Sequence, residues 1–170
     1  MLVERIESKW ISDFMEVFGL CNVQAGETAA ILSETQSRSI LAELAELALS
    51  QMGARVFQVR LPSPRAKEAV PLRSTGTSLA IDGLEPVIKA LSSSNFIVDC
   101  TVEGLLHSVE RAALLAQGAR IMMISNEHPE ILERLKPSKV VHEKSLLGGQ
   151  MITAANTMRV TSAAGTDLTV

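Results

Sequence analysis

Residues 96–128 read FIVDCTVEGLLHSVERAALLAQGARIMMISNEH, and this stretch decides the fold. Phe96–Cys100 is a short apolar run with the length of a buried strand. Residues 108–117 have helical spacing and end at Gly118, a residue suited to the reversal after a helix. Arg120–Ile124 is a second apolar run. Two strands joined by a helix form a βαβ unit, whose strands run parallel and whose crossover is right-handed.

The same alternation extends in both directions. Towards the amino end, a helix is predicted over 85–92 and a strand over 55–61, carried by Val56, Phe57, Val59 and Leu61 and stopped by Pro62 and Pro64. Residues 38–52 place Ile40, Leu41, Leu44, Leu47, Ala48 and Met52 on one helical face, with Gly53 following. Ala29–Leu32 reads as a buried strand. Residues 3–19 carry Val3, Ile6, Trp10, Ile11, Phe14, Met15 and Phe18 at helical spacing and close at Gly19. Towards the carboxyl end, a helix is expected over 129–135 with Pro129 at its first position. A longer helix covers about 138–155, then a strand, an Ala-Gly turn and the start of another strand follow. Strands alternating with helices imply an α/β fold: three layers, a mostly parallel sheet with helices on both faces, in a flavodoxin-like or Rossmann-like order. The whole chain, 1–170, reads as a single α/β domain. The connection over 62–83 is long and rich in Pro, Gly and Ser/Thr, a composition common in functional loops.

Composition narrows the function. With a net charge of -3, 3% aromatic residues and no Tyr, the chain lacks the basic stripe and stacking platforms of a nucleic-acid partner. No apolar run has the length of a membrane span, and the amino-terminal residues lack a signal-peptide core, so a cytoplasmic protein without membrane contact is expected. Cys21 and Cys100 are expected as free thiols in a reducing compartment. A mean hydropathy of +0.22 and an unfinished final strand point to self-association as a homo-oligomer.

In parallel sheets, ligands bind beyond the carboxyl ends of the strands. Here those ends are polar: Glu34-Thr35-Gln36-Ser37-Arg38 after the first strand, Asp99 to Ser108 after the third, and Ser125-Asn126-Glu127-His128-Pro129 after the fourth. Each segment also has a bland reading. Ser37, Ser108, and Asn126 or His128 are residue types that cap the helices that follow them. His107 is placed half-buried at the mouth of the sheet, where a structural and a chemical role are equally compatible with its position. Nucleotide chemistry is poorly supported: the first strand–helix turn has no glycine, and neither a P-loop nor a Cys-x-x-Cys pair occurs. His107, His128 and His142 show no metal-ligand spacing, so a set such as His107, His128 and Glu103 could arise only by long-range convergence.

Five segments together resemble a known family. They are Ser33–Arg38, Pro71–Gly76, Thr101–Ser108, Ser125–Pro129 and Arg159–Thr169. In this order they are similar to the N-terminal half of the 2,5-dihydroxypyridine 5,6-dioxygenases. Relatives of these enzymes often carry the label leucyl aminopeptidase, because the fold resembles the thermophilic metallo-aminopeptidases. The resemblance implies a two-domain enzyme that opens the ring of a hydroxylated pyridine with dioxygen at a non-haem Fe(II). The iron ligands would lie in a C-terminal domain absent from this sequence. No metal is expected in the present chain, which alone is expected to be inactive. By match to the family's Leu-Leu-His-Ser motif, Leu106 would line the pocket for a small aromatic substrate, and His107 would act as acid/base beside its hydroxyl. A metallo-aminopeptidase of the same superfamily and a non-catalytic interaction module are the alternatives.

Overall fold

Alternating side chains along four short strands put two apolar surfaces on one sheet, and helices cover both. The computed structural model describes residues 5–65, 76–124 and 126–170. Over residues 1–136 the elements are α1 (Ser8–Leu20), β1 (Thr28–Glu34), α2 (Ser39–Gln51), β2 (Arg55–Leu61), α3 (Glu85–Ser92), β3 (Phe96–Asp99), α4 (Arg111–Ala116), β4 (Arg120–Met123) and α5 (Glu130–Arg134). The strands pair in the order β2-β1-β3-β4, all parallel. This is the flavodoxin-like order, with the switch between β1 and β3.

Successive residues of a strand face opposite sides. Ala29 and Ile31 of β1 and Phe96 and Val98 of β3 therefore share one face, where Trp10, Phe14 and Phe18 of α1 and Ile40, Leu44 and Ala48 of α2 cover them. Ala30 and Leu32 of β1 and Ile97 of β3 share the other, packed with Leu91 of α3 and Leu114 of α4. Edge-to-face contacts run from Phe14 to Phe18 (5.8 Å) and on to Phe96 (5.5 Å), joining α1 to the central strand.

Several boundaries differ from expectation. The first helix begins at Ser8, because Glu7 is extended (φ -95°, ψ 135°); Ile6 still packs on the core without being helical. Gly19 lies within α1, and the chain reverses instead at Asn22 (φ 58°), a residue that tolerates the left-handed region. Helix α4 starts at Arg111 with Glu110 as its N-cap, so Ser108 does not cap it. Pro129 precedes α5 as its N-cap rather than its first residue.

Residues 137–170 form a separate unit. Helix α6 (Lys139–Ala154) is capped by the Ser138 hydroxyl, which accepts from the Val141 N–H at 3.2 Å. Strands β5 (Arg159–Thr161) and β6 (Asp167–Thr169) pair antiparallel around a turn at Gly165 (φ 96°). A two-pronged Arg159–Asp167 contact, 2.8 Å at each prong, fixes their register.

Candidate functional site

The loops that follow β1, β3 and β4 meet at the carboxyl edge of the sheet and are sewn together by side chains. The Ser37 hydroxyl donates to the Cys100 carbonyl at 2.7 Å and accepts the Glu34 N–H at 2.8 Å, tying the first loop to the third. Asn126 Oδ1 accepts the Arg38 N–H at 2.7 Å, tying the fourth loop to the first. The expected capping roles therefore change. Arg38, not Ser37, is the N-cap of α2, and no side chain caps that helix from within it. Asn126 reaches across to the start of α2 instead of serving α5. Cross-loop bonds win because these loops stand side by side at the switch point, where their polar groups must find partners.

Two buried carboxylates organise the loop after β3. Asp99 is fully buried and Glu34 is 3% exposed. Asp99 accepts from the Thr101 N–H (3.0 Å), the Thr101 hydroxyl (2.7 Å) and the Leu105 N–H (2.6 Å). Glu34 accepts the Val102 N–H at 2.6 Å. Burial pushes the Asp99 carboxyl above the usual range; its hydrogen bonds oppose this and the neighbouring Glu34 charge adds to it. Gly104 (φ 78°) completes the turn, and a Cβ there would stand 2.0 Å from the Met123 sulfur, so a side chain would be strained in this backbone conformation and would displace Met123.

This loop presents the two residues expected at the site. Leu105 turns into the core, and Ser108 is buried with its hydroxyl donating to the Leu105 carbonyl at 3.1 Å. Between them Leu106 is 48% exposed and His107 is exposed. His107 is therefore not half-buried as expected: the anchors on either side face inward and send the two intervening side chains outward. Its main chain is held by Gly76, whose carbonyl accepts the His107 N–H at 2.5 Å and whose own N–H donates to the Glu103 carbonyl at 2.6 Å. Gly76 has φ 76°, and a Cβ at that position would come within 2.9 Å of His107 Cδ2. The rest of the motif segment, Pro71–Thr75, lies outside the described residues, as does Ser125.

His128 stands past the neighbouring strand in different surroundings. Its ring meets Trp10 edge-on at 5.2 Å, and its Nδ1 accepts the Glu130 N–H at 3.3 Å. The Trp10 indole N–H donates to Glu133 at 3.1 Å. A cleft of about 190 Å³ opens here, lined by Phe14, Leu41, Met123, Ile124, His128 and Leu135, and contains neither Leu106 nor His107. The two cysteines are free; burial pushes both thiols up, most strongly at Cys100, which suits neither to nucleophilic work.

Among the described residues no group of three or more His, Cys, Asp or Glu side chains could hold a metal ion, a set such as His107, His128 and Glu103 included. These residues do not fit an iron centre. Among the described residues no helix is long and apolar enough to cross a membrane.

The sequence over residues 9–170 matches that of a known family, 2,5-dihydroxypyridine 5,6-dioxygenase. The chain belongs to the 2,5-dihydroxypyridine 5,6-dioxygenase family. It is 28% identical over 156 residues to the 2,5-dihydroxypyridine 5,6-dioxygenase of Pseudomonas putida KT2440, a match covering 91% of this chain and 44% of that protein. Its fold superposes on the solved structure of 2,5-dihydroxypyridine dioxygenase from Pseudomonas putida KT2440 with a TM-score of 0.86 at 27% identity, covering 97% of this chain and 48% of that one. The chain thus spans about half the length of the family members it matches, and resembles them in fold as well as in sequence.

Leu106 and His107 stand out in the sequence, but what holds them does not. Asp99 and Glu34 stand out there only as polar residues after apolar runs. Gly76 could have been found from its place at the end of a Pro-Leu-Arg-Ser-Thr-Gly segment, but its contact with His107 spans thirty-one positions of sequence and has no local signature.

Proposed function

We propose that this chain is the N-terminal domain, residues 1–170, of a two-domain dioxygenase that opens the ring of 2,5-dihydroxypyridine or a similar hydroxylated N-heteroaromatic. Fe(II) is held by ligands outside this chain, and the enzyme works in the cytoplasm as a homo-oligomer. His107 is its acid/base and Leu106 its apolar wall. The family membership carries the reading, and the outward pose of the Leu106–His107 pair at the carboxyl edge supports it. An imidazole exchanges protons near neutral pH, and a positioned one facing a ring hydroxyl can take up its proton as the substrate becomes an electron-rich anion. Leu106 offers an apolar flank for the ring, so the substrate plane and the hydroxyl are fixed by adjacent residues of one loop.

The test uses the protein expressed from its complete reading frame, loaded with Fe(II) without air, then given 2,5-dihydroxypyridine and isotopically labelled dioxygen. The expected result is loss of the substrate's ultraviolet absorbance and a ring-opened product carrying both labelled oxygen atoms. An iron-loaded protein that leaves the substrate intact, or a product with a single labelled atom, overturns the reading.

A further inference from the structure

The loop that carries Leu106 and His107 is tied by buried carboxylates as well as by the packing of Val102 and Leu105. Four consecutive-region N–H groups, those of Thr101, Val102, Gly104 and Leu105, are taken up by three side chains. Asp99 accepts two of them directly. Through the Thr101 hydroxyl, which donates to Asp99 and accepts from the Gly104 N–H at 3.1 Å, it governs a third. The last bond in the set, from Leu105, is one residue from Leu106 and two from His107. Two acidic side chains buried at adjacent strand ends are a poor way to gain stability, because each loses hydration and each repels the other. They are an effective way to fix a backbone, because a carboxylate accepts several N–H groups at once in a defined geometry.

We propose that Asp99 is a positioning residue for the reaction proposed above: acting through the backbone of residues 101–105, it sets where Leu106 and His107 meet the substrate. The inference rests on the acid/base reading of His107. Asp99 touches neither residue's side chain, so its influence is one of placement. Small displacements of a catalytic group are costly, since an error of about 1 Å can lower turnover about 100-fold.

A double-mutant cycle in the iron-loaded, complete protein tests this. Asp99→Asn keeps the shape of the side chain but replaces one acceptor oxygen by a donor, so that either the Leu105 N–H or the Thr101 N–H and hydroxyl lose their acceptor. Turnover of 2,5-dihydroxypyridine is expected to fall roughly 10–100-fold. In a His107→Ala background the same change is expected to cost less than about threefold, because only the Leu106 contact is left to misplace. A purely structural Asp99 would cost the same factor in both backgrounds, and that result overturns the proposal. If His107→Ala leaves turnover intact, the acid/base reading beneath it fails instead, which the cycle shows separately. Thr101→Val serves where Asp99→Asn does not fold: it removes the hydroxyl relay at nearly constant volume. It is expected to shift the His107 ring and Gly104 amide resonances while those of β1 and α2 stay in place. Unmoved His107 resonances, or shifts spread evenly through the core, contradict the proposal.

Discussion

His107 and His128 each follow a parallel strand, β3 and β4, at the same edge of the sheet. One is exposed on a loop whose backbone is held by buried acids; the other is packed edge-on against Trp10 with its Nδ1 engaged by the Glu130 N–H. The difference lies in what each loop spends its polar groups on. After β3 the polar groups fix the backbone and leave the imidazole outside. After β4 the imidazole itself is part of the packing between α1 and α5. Position at the carboxyl edge is thus common to both histidines; what distinguishes them is whether the side chain is taken up by the fold's own packing.

The largest expected effect breaks the structural half of this contrast. Trp10 is 5% exposed and contacts both His128 and Glu133. Trp10→Ala should destabilise the protein by about 3–5 kcal/mol, the range for removing a buried large aromatic. Urea unfolding followed by circular dichroism measures it. Turnover per folded molecule should remain near that of the parent protein. A selective loss of turnover would show that the α1 side of the edge also serves the chemistry.

A smaller effect sharpens the functional half. Gly76→Ala forces a side chain into the left-handed region, at about 1–2 kcal/mol, and pushes a methyl group against His107. The modest fall in melting temperature should be accompanied by a disproportionate fall in kcat. Equal behaviour of Gly76→Ala and a comparable change at Gly118, whose Cβ would meet open space, would remove Gly76 from the site.

The contrast also explains what sequence could and could not reveal. The boundaries of β2 and α3 are legible, because each depends on local apolar periodicity and on Pro or Gly stops. The start of α1 is not, since Ile6 meets the core from an extended segment and periodicity cannot tell that from a helix. Leu106 and His107 stand out as a motif. Their exposure does not, because it follows from Leu105 and Ser108 turning inward. Ser37 does not cap the helix after it, and of the two residues read as serving α5 it is His128, through the Glu130 N–H, and not Asn126: the partners of Ser37 and Asn126, the Cys100 carbonyl and the Arg38 N–H, are sixty-three and eighty-eight positions away.

The smallest effect is a control at the opposite end of the strands. Arg120, at the start of β4, pairs with Glu27 at 2.5 Å. Burial pushes the Glu27 carboxyl up, but the Gln24 N–H and the Arg120 guanidinium outweigh it and hold it below the ordinary value of 4.5. A carboxyl lowered in the folded state binds fewer protons there than in the unfolded chain. Its contribution is thus present above pH 4.5 and lost as pH falls through the folded-state value. Glu27→Gln should cost below about 1 kcal/mol at neutral pH, and less in high salt. The difference from the parent should vanish in acid melts, with turnover unchanged at neutral pH.

The most direct test sets the two histidines side by side. His107→Ala and His128→Ala are prepared in the complete, iron-loaded protein, and melting temperature, iron content and turnover of 2,5-dihydroxypyridine are measured on each sample. His107→Ala should lose roughly 10²–10⁴-fold in turnover, the usual contribution of a positioned acid/base, at unchanged iron content and melting temperature. His128→Ala should lower stability by about 1 kcal/mol through its contact with Trp10 and leave turnover per folded molecule within about twofold. The reverse pattern, a stability loss at His107 with turnover within a few-fold of the parent, would contradict the division of labour between the two loops.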